Sequence, residues 1–308
     1  MINYNELTLD FDENRLPPGQ QPIITNSIEQ FYLSIDMIVR ARELTGYSTM
    51  ADVVGLAGVG KTIAIQSYLN KLEDRLHTGL PAGMVLKVTP ELTTKELMVT
   101  LLTSFGERPR SNINRHMIAN EAAEAILDFD LKILFADEAD LLDVKGFEFI
   151  RYIFNKTGCP IVVVGLRQIL HVIRKYEKFE SRIGPHLEFL PPDEDEVLNK
   201  ILPELIFPRW QFDPSSAADI KMGMELWERT QPSFRNLRKV LQYASVLAEI
   251  HEKERISHTL LKQSCQMMLG MKHAEEEPEE EGEEPQTEYE QESARRQDAR
   301  AKKHEASV

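Results

Sequence analysis

Eight consecutive residues, Gly55-Leu56-Ala57-Gly58-Val59-Gly60-Lys61-Thr62, fit the spacing G-x-x-x-x-G-K-[ST]. Each fixed position has a physical task. Glycines let successive backbone N–H groups turn inward around an anion, and the helix that follows points its positive end at the same place. Lys61 is then positioned to reach the β and γ phosphates of a nucleoside triphosphate, and the Thr62 hydroxyl to ligate Mg2+. The bland alternative is a glycine-rich turn before an ordinary helix. It is disfavoured because the loop stands between a predicted strand and a predicted helix, the setting that this chemistry requires.

A second constellation closes the apolar run Ile133-Leu134-Phe135-Ala136 with Asp137-Glu138. Two acids after a strand are by themselves a solvated turn or a helix cap. Downstream of a phosphate loop they acquire another reading, because ligands of a doubly wound sheet sit at the carboxyl ends of its strands. Asp137 is expected to hold the magnesium, usually through water, and Glu138 to polarise the attacking water.

These residues need a scaffold, and the patterning predicts one. The stretch beginning Thr25-Asn26-Ser27 offers a helix cap, with none of the three preferred over the others, and Ile28, Phe31, Tyr32, Ile35 and Val39 are spaced along one helix face. A short strand at Met50 to Val54 leads into the glycine loop and a helix from Lys61 to about Arg75. Another strand, Gly83 to Val88, is followed by a helix capped by Thr93. After a polar break at Gly106 to Asn114 come a helix through Leu127, the strand Leu131 to Ala136, a helix from Gly146 to Asn155 and the strand Ile161 to Val164. Apolar strands alternating with helices predict an α/β fold, with a parallel sheet sandwiched by helices on both faces. Beyond Pro191-Pro192 the pattern turns helical, at Val197 to Leu205, Ala217 to Thr230, Phe234 to Glu252 and Ser257 to Met268, which predicts a small all-helical second domain. The expected organisation is an N-terminal arm over 1–22, an ATPase domain over 23–190, the helical second domain over 191–273 and a disordered acidic tail over 274–308.

Composition constrains the setting. The 308 residues are 42% hydrophobic and 7% aromatic, enough for one large core or two modest ones. The formal charge is −14, but residues 274–308 hold thirteen acidic and five basic side chains. The remainder is only mildly acidic, so a local basic patch can still meet DNA. The tail holds a partner's basic surface, keeps free subunits off DNA by mimicking phosphate, or serves solubility alone; its composition favours none of these. No apolar run approaches the ~20 residues that span a bilayer, and the start lacks signal-peptide character, so a cytoplasmic location without membrane contact is expected. Cys159 and Cys265 lack metal-ligand spacing and are read as buried small apolar side chains. Trp210 and Trp227 are assigned to packing or subunit contact, and Met267, Met268 and Met271 to core or interface filling.

From about Pro22 to Met268 the sequence resembles the AAA+ ATPases, and within them the DNA-transposition regulators typified by the phage Mu protein MuB and by TnsC and TniB. The glycine loop and the strand ending Asp137-Glu138-Ala139-Asp140 are shared with many ATPases. Val162-Val163-Val164-Gly165, Phe179-Glu180-Ser181-Arg182-Ile183 and Asn236-Leu237-Arg238 carry the narrower likeness. The resemblance implies that Arg182 enters a neighbouring subunit's site as an arginine finger, against the alternative of a surface salt bridge. It also implies that the helical domain over 191–273 is a lid whose Arg238 contacts the γ phosphate from within the chain, with Arg235 competing for that role. One departure stands out: Leu166 occupies the place where such proteins carry Asn or Thr to align the water. Either Arg167 or Gln168 substitutes, or hydrolysis is slow.

The resemblance further implies ATP-dependent assembly of a homo-oligomer, a ring or helical filament, around double-stranded DNA, which makes the protein nucleoid-associated when bound. A transposase is the implied partner, with a target-site recognition protein as a further one. Candidate contacts to the DNA backbone are Thr94, Lys95, Arg108, Arg110, Ser111 and Arg115. A helicase loader or replication initiator of the same fold is the runner-up, and a nucleotide-switched scaffold that never touches DNA is the reading from another class.

Overall fold

The computed structural model describes residues 22–76, 81–109, 114–231 and 233–270. Residues 1–21 of the predicted arm, the acidic tail, Met271, and Arg110 and Ser111 lie outside the described residues. Five strands, β1 (Met50–Gly55), β2 (Gly83–Lys87), β3 (Ile133–Asp137), β4 (Ile161–Gly165) and β5 (Ile183–Phe189), form one sheet in the order β2-β3-β4-β1-β5. Every pairing is parallel.

Period-two alternation divides the strands between two cores. Ala51, Val53, Ile133, Phe135, Val162 and Val164 face α1 (Asn26–Thr45) and α2 (Lys61–Leu76). Met50, Val54, Leu134, Ala136, Ile161 and Val163 face α3 (Thr94–Ser104), α4 (Arg115–Asp128) and α5 (Val144–Thr157), with α6 (Ile169–Lys175) and α7 (Glu177–Glu180) beside them. The helix starts follow local chemistry. The Thr25 side chain accepts the Ile28 N–H at 3.3 Å, Thr93 and Glu96 complete a capping box on α3, and Asn114 caps α4.

Residues 194–204 form a helix interrupted by a π turn at Val197–Ile201. The helices Ala217–Thr230, Phe234–Ile250 and His258–Leu269 follow. These share a third core around Val197, Ile201, Leu226, Leu237 and Leu260. Trp210 belongs to it, with its indole N–H donating to the Leu202 carbonyl at 2.9 Å, and Trp227 meets Phe234 edge to face. Met267 and Met268 do not fill the core: they are 55% and 39% exposed, on the outer face of the last helix. Both cysteines are buried, and burial pushes the Cys159 thiol up to about 12.

The fifth strand is absent from the sequence-based reading. Ile183–Phe189 contains Gly184, Pro185, His186 and Glu188, and its residues alternate between half-buried and exposed along a sheet edge until Phe189, which is buried. An edge strand needs neither an apolar run nor a full set of ladder donors, so proline and charge are tolerated.

On β1, next to that edge, Asp52 is fully buried. One carboxylate oxygen meets Nδ1 of His186, and the other, Oδ2, has no hydrogen-bond partner among the described residues. Burial raises the Asp52 carboxyl above its ordinary range, outweighing the opposing pull of His186 and Arg174. The folded chain therefore holds that proton more tightly than the unfolded chain. The corresponding stability is complete below the ordinary carboxylate pKa and is lost as pH rises through the folded value. Asp52→Asn keeps an acceptor for His186 without the charge. It is expected to melt above the wild type at neutral pH, with the two converging below about pH 4, as read by thermal denaturation across pH.

Candidate functional site

At the carboxyl end of β1 the chain turns through the glycine loop. Gly55 is pressed against β5, so that a Cβ there would lie 2.5 Å from the Phe189 carbonyl oxygen. Gly58 and Gly60 have φ of 76° and 103°, the left-handed region that glycine enters without strain. A Cβ on Gly58 would also strike Ser233 Oγ at 2.5 Å, while the Phe234 N–H donates to the Gly58 carbonyl at 2.9 Å. The loop is thus clasped by the start of the helix Phe234–Ile250.

Lys61 opens α2 and curls back over the loop, donating to the carbonyls of Gly55 at 2.8 Å and Leu56 at 2.7 Å. Burial lowers its ammonium below the ordinary lysine range, and the Asp137 and Asp140 carboxylates oppose that shift. Thr62 Oγ1 donates to Asp137 Oδ2 at 2.8 Å, bridging the loop to the end of β3. Cis ligands of an octahedral Mg2+ with arms near 2.1 Å stand about 3 Å apart, so this oxygen pair has the spacing of two neighbouring ligands. One carboxylate and one hydroxyl beside substrate phosphates is an ordinary donor set for that ion.

Glu138 follows with φ of 58°, unusual for a residue with a side chain. Its carboxylate lies 3.8 Å from Lys87 Nζ at the end of β2. Sequence reasoning missed Lys87. Its position depends on β2 pairing in register with β3, which sets Lys87 opposite Asp137, and strand order is not written in local patterning.

Lys61, Thr62, Asp137, Glu138, Arg235 and Arg238 line one cavity of about 370 Å³. Ile23, Ile28, Leu205, Phe207 and Leu237 line it too and give it apolar walls. A polyanion carrying a flat apolar group, such as a nucleotide, matches both kinds of lining. Arg235 and Arg238 enter the cavity together, so both candidates for the γ-phosphate contact remain. Leu166 lines the cavity as well, whereas Arg167 pairs with Glu188 on β5.

Arg182 is elsewhere. Its carbonyl accepts the Met50 N–H at 3.0 Å, at the opposite end of β1 from the glycine loop, about 16 Å away at 3.3 Å per residue. Its Nε donates to Asn155 Oδ1 at 2.9 Å. It cannot serve the cavity of its own chain.

Of the DNA-contact candidates, Thr94 and Arg115 line a second cavity of about 310 Å³ between the starts of α3, α4 and α5. His116 and Lys145, which sequence reasoning did not single out, share it. Lys95 and Arg108 are exposed.

Residues 45–173 match the family model described as an AAA domain. The chain is 25% identical over 176 residues to RuvB-like helicase 1 of Neurospora crassa, a stretch covering 52% of this chain but only 36% of that protein. Among solved structures, the Aeropyrum pernix ORC2 protein, in ADPNP–ADP complexes, superposes with a TM-score of 0.65 at 16% identity, covering 83% of this chain and 71% of that one. The Aeropyrum pernix ORC1 protein, solved in complex with DNA, does so with a TM-score of 0.58 at 17% identity, covering 80% and 65%. At such identities the likeness is one of fold. An AAA domain thus matches residues 45–173, and the fold around it, a five-stranded parallel sheet flanked by helices, is that of the AAA+ ATPases.

Proposed function

We propose that this protein binds and hydrolyses ATP, assembles as a homo-oligomer on double-stranded DNA in its ATP-bound state, and there recruits or activates a transposase. The observation that carries the nucleotide chemistry is the single cavity in which Lys61, Thr62, Asp137, Glu138, Arg235 and Arg238 converge. Lys61 exchanges its two carbonyl acceptors for β- and γ-phosphate oxygens. Thr62 and Asp137 would hold Mg2+, which would supply neutralising charge to the phosphates. Glu138 takes a proton from water as the water oxygen bonds the γ phosphorus and the bond to the bridging oxygen breaks. Lys87 competes for the Glu138 carboxylate and so holds it back from the water. The placement of Arg182 at the far end of β1 supports a role in a neighbouring copy's cavity, where its guanidinium stabilises charge on the transferring phosphoryl group.

The DNA reading rests on the motif resemblance and on the cationic groups gathered near α3 and α4, with Arg110 and Ser111 retained as candidates. None of the helices among the described residues is long and apolar enough to cross a membrane. A second reading, a replication initiator or helicase loader, is favoured by the fold likeness to the ORC proteins. It differs in partner rather than chemistry, and pull-down with purified transposase against purified replicative helicase separates the two.

Lys61→Ala is expected to weaken ATP binding by at least about tenfold, and Glu138→Gln to keep binding while lowering turnover by about a hundredfold or more. Nucleotide titration and phosphate release check both; full turnover by Glu138→Gln would remove the role given to Glu138. In filter binding, duplex DNA is expected to be retained with ATP and not without nucleotide, with affinity falling steeply as salt rises. Equal retention without nucleotide would sink the ATP-dependent assembly.

A further inference from the structure

Leu166 leaves the hydrolytic site without a polar side chain at the end of β4, and the residues around it show how that end is held instead. Asp140 lies in the 3-10 turn Ala139–Leu141, directly after Glu138. Its Oδ1 accepts the Leu166 N–H at 3.0 Å, and its Oδ2 accepts from Gln168 Nε2 at 3.2 Å. Gly165 is seated against the same carboxylate, so that a Cβ there would lie 2.4 Å from Oδ1 and 3.1 Å from the Asp140 backbone nitrogen. Asp140, Gly165, Leu166 and Glu138 all line the cavity that holds Lys61.

We propose that Asp140 is a positioning residue for ATP hydrolysis, fixing the Gly165–Gln168 turn to the Glu138 turn in place of the polar contact that Leu166 cannot make. The proposal rests on the ATPase reading above. Three features make the link stiff. Ala139, between Glu138 and Asp140, is fully buried. The Leu141 N–H closes the turn by donating to the Glu138 carbonyl at 3.0 Å. The carboxylate takes donors from two positions of the facing turn at once. A shift of Asp140 therefore moves the Glu138 carboxylate relative to the cavity wall at Leu166, which alters alignment of the water rather than affinity for the nucleotide. Arg167 is committed to Glu188 and does not enter this arrangement.

Charge separates this role from a merely structural one. Asp140 contributes negative potential at Lys61, so its removal does not weaken attraction for phosphate. Asp140→Ala is expected to lower kcat by about ten- to hundredfold while the ATP dissociation constant stays the same or falls. Asp140→Asn retains an acceptor for the Leu166 N–H, and Gln168 can rotate its amide to accept from the new one, so most turnover returns. Amide hydrogen exchange at Leu166 should quicken in Asp140→Ala and remain slow in Asp140→Asn. Unchanged turnover in Asp140→Ala, or a loss of turnover accompanied by an equal loss of ATP binding and of melting temperature in both variants, would overturn the proposal. Should the wild type hydrolyse no ATP, the ATPase reading fails by itself. Leu166 exchange then judges the clamp: quickening in Asp140→Ala sustains it, and unchanged exchange overturns it.

Discussion

Because β4 lies between β1 and β3, the glycine loop and Asp137 face each other across one intervening strand, a gap of about 10 Å at the usual strand spacing. All five strands run the same way, so their carboxyl ends, with the polar turns that follow them, gather on one edge. Thr62 spans that gap to Asp137, joining residues 75 positions apart. The cavity exists because the sheet is parallel and because this strand order leaves a crevice over β4. Arg182 follows from the same geometry: a residue preceding β5 must emerge at the opposite edge.

The second constraint is electrostatic. A partly buried lysine is held by two carbonyl oxygens, with Asp137 and Asp140 offsetting the cost of burying its charge. On the proposed reading, the oxygens of a triphosphate would replace the carbonyls while a cation would screen the acids. The helix Phe234–Ile250 brings Arg235 and Arg238 to the same place, and its start is fastened to the loop through the Gly58 carbonyl. The position of this helix is thereby tied to that of the glycine loop.

The interactions at the ends of β2 and β4 modify this frame. Lys87 engages Glu138 from one side, and Asp140 holds the Leu166 turn on the other. Lys87 pairs with Glu138 itself and Asp140 belongs to the turn that follows it, and the backbone at Glu138 is left-handed, with φ of 58°. On the proposed ATPase reading, turnover depends on how this turn is held as much as on the glycine loop.

The sequence by itself determined the chemistry that local spacing encodes: the glycine loop with Lys61 and Thr62, the acids closing β3, a cap at the start of the first helix, the cap at Thr93, and four strands, three of them with apolar runs buried on both faces. These are legible because each depends on neighbours within a few residues, where backbone geometry and side-chain period act directly. Only the tertiary structure decided the strand order, the edge strand β5, the pairing of Lys87 with Glu138, the clamp of Asp140 on Leu166 and the exclusion of Arg182 from its own chain's cavity. Those contacts join residues separated by tens of positions. Register and the insertion of β4 between β3 and β1 fix them, and no local pattern carries that information.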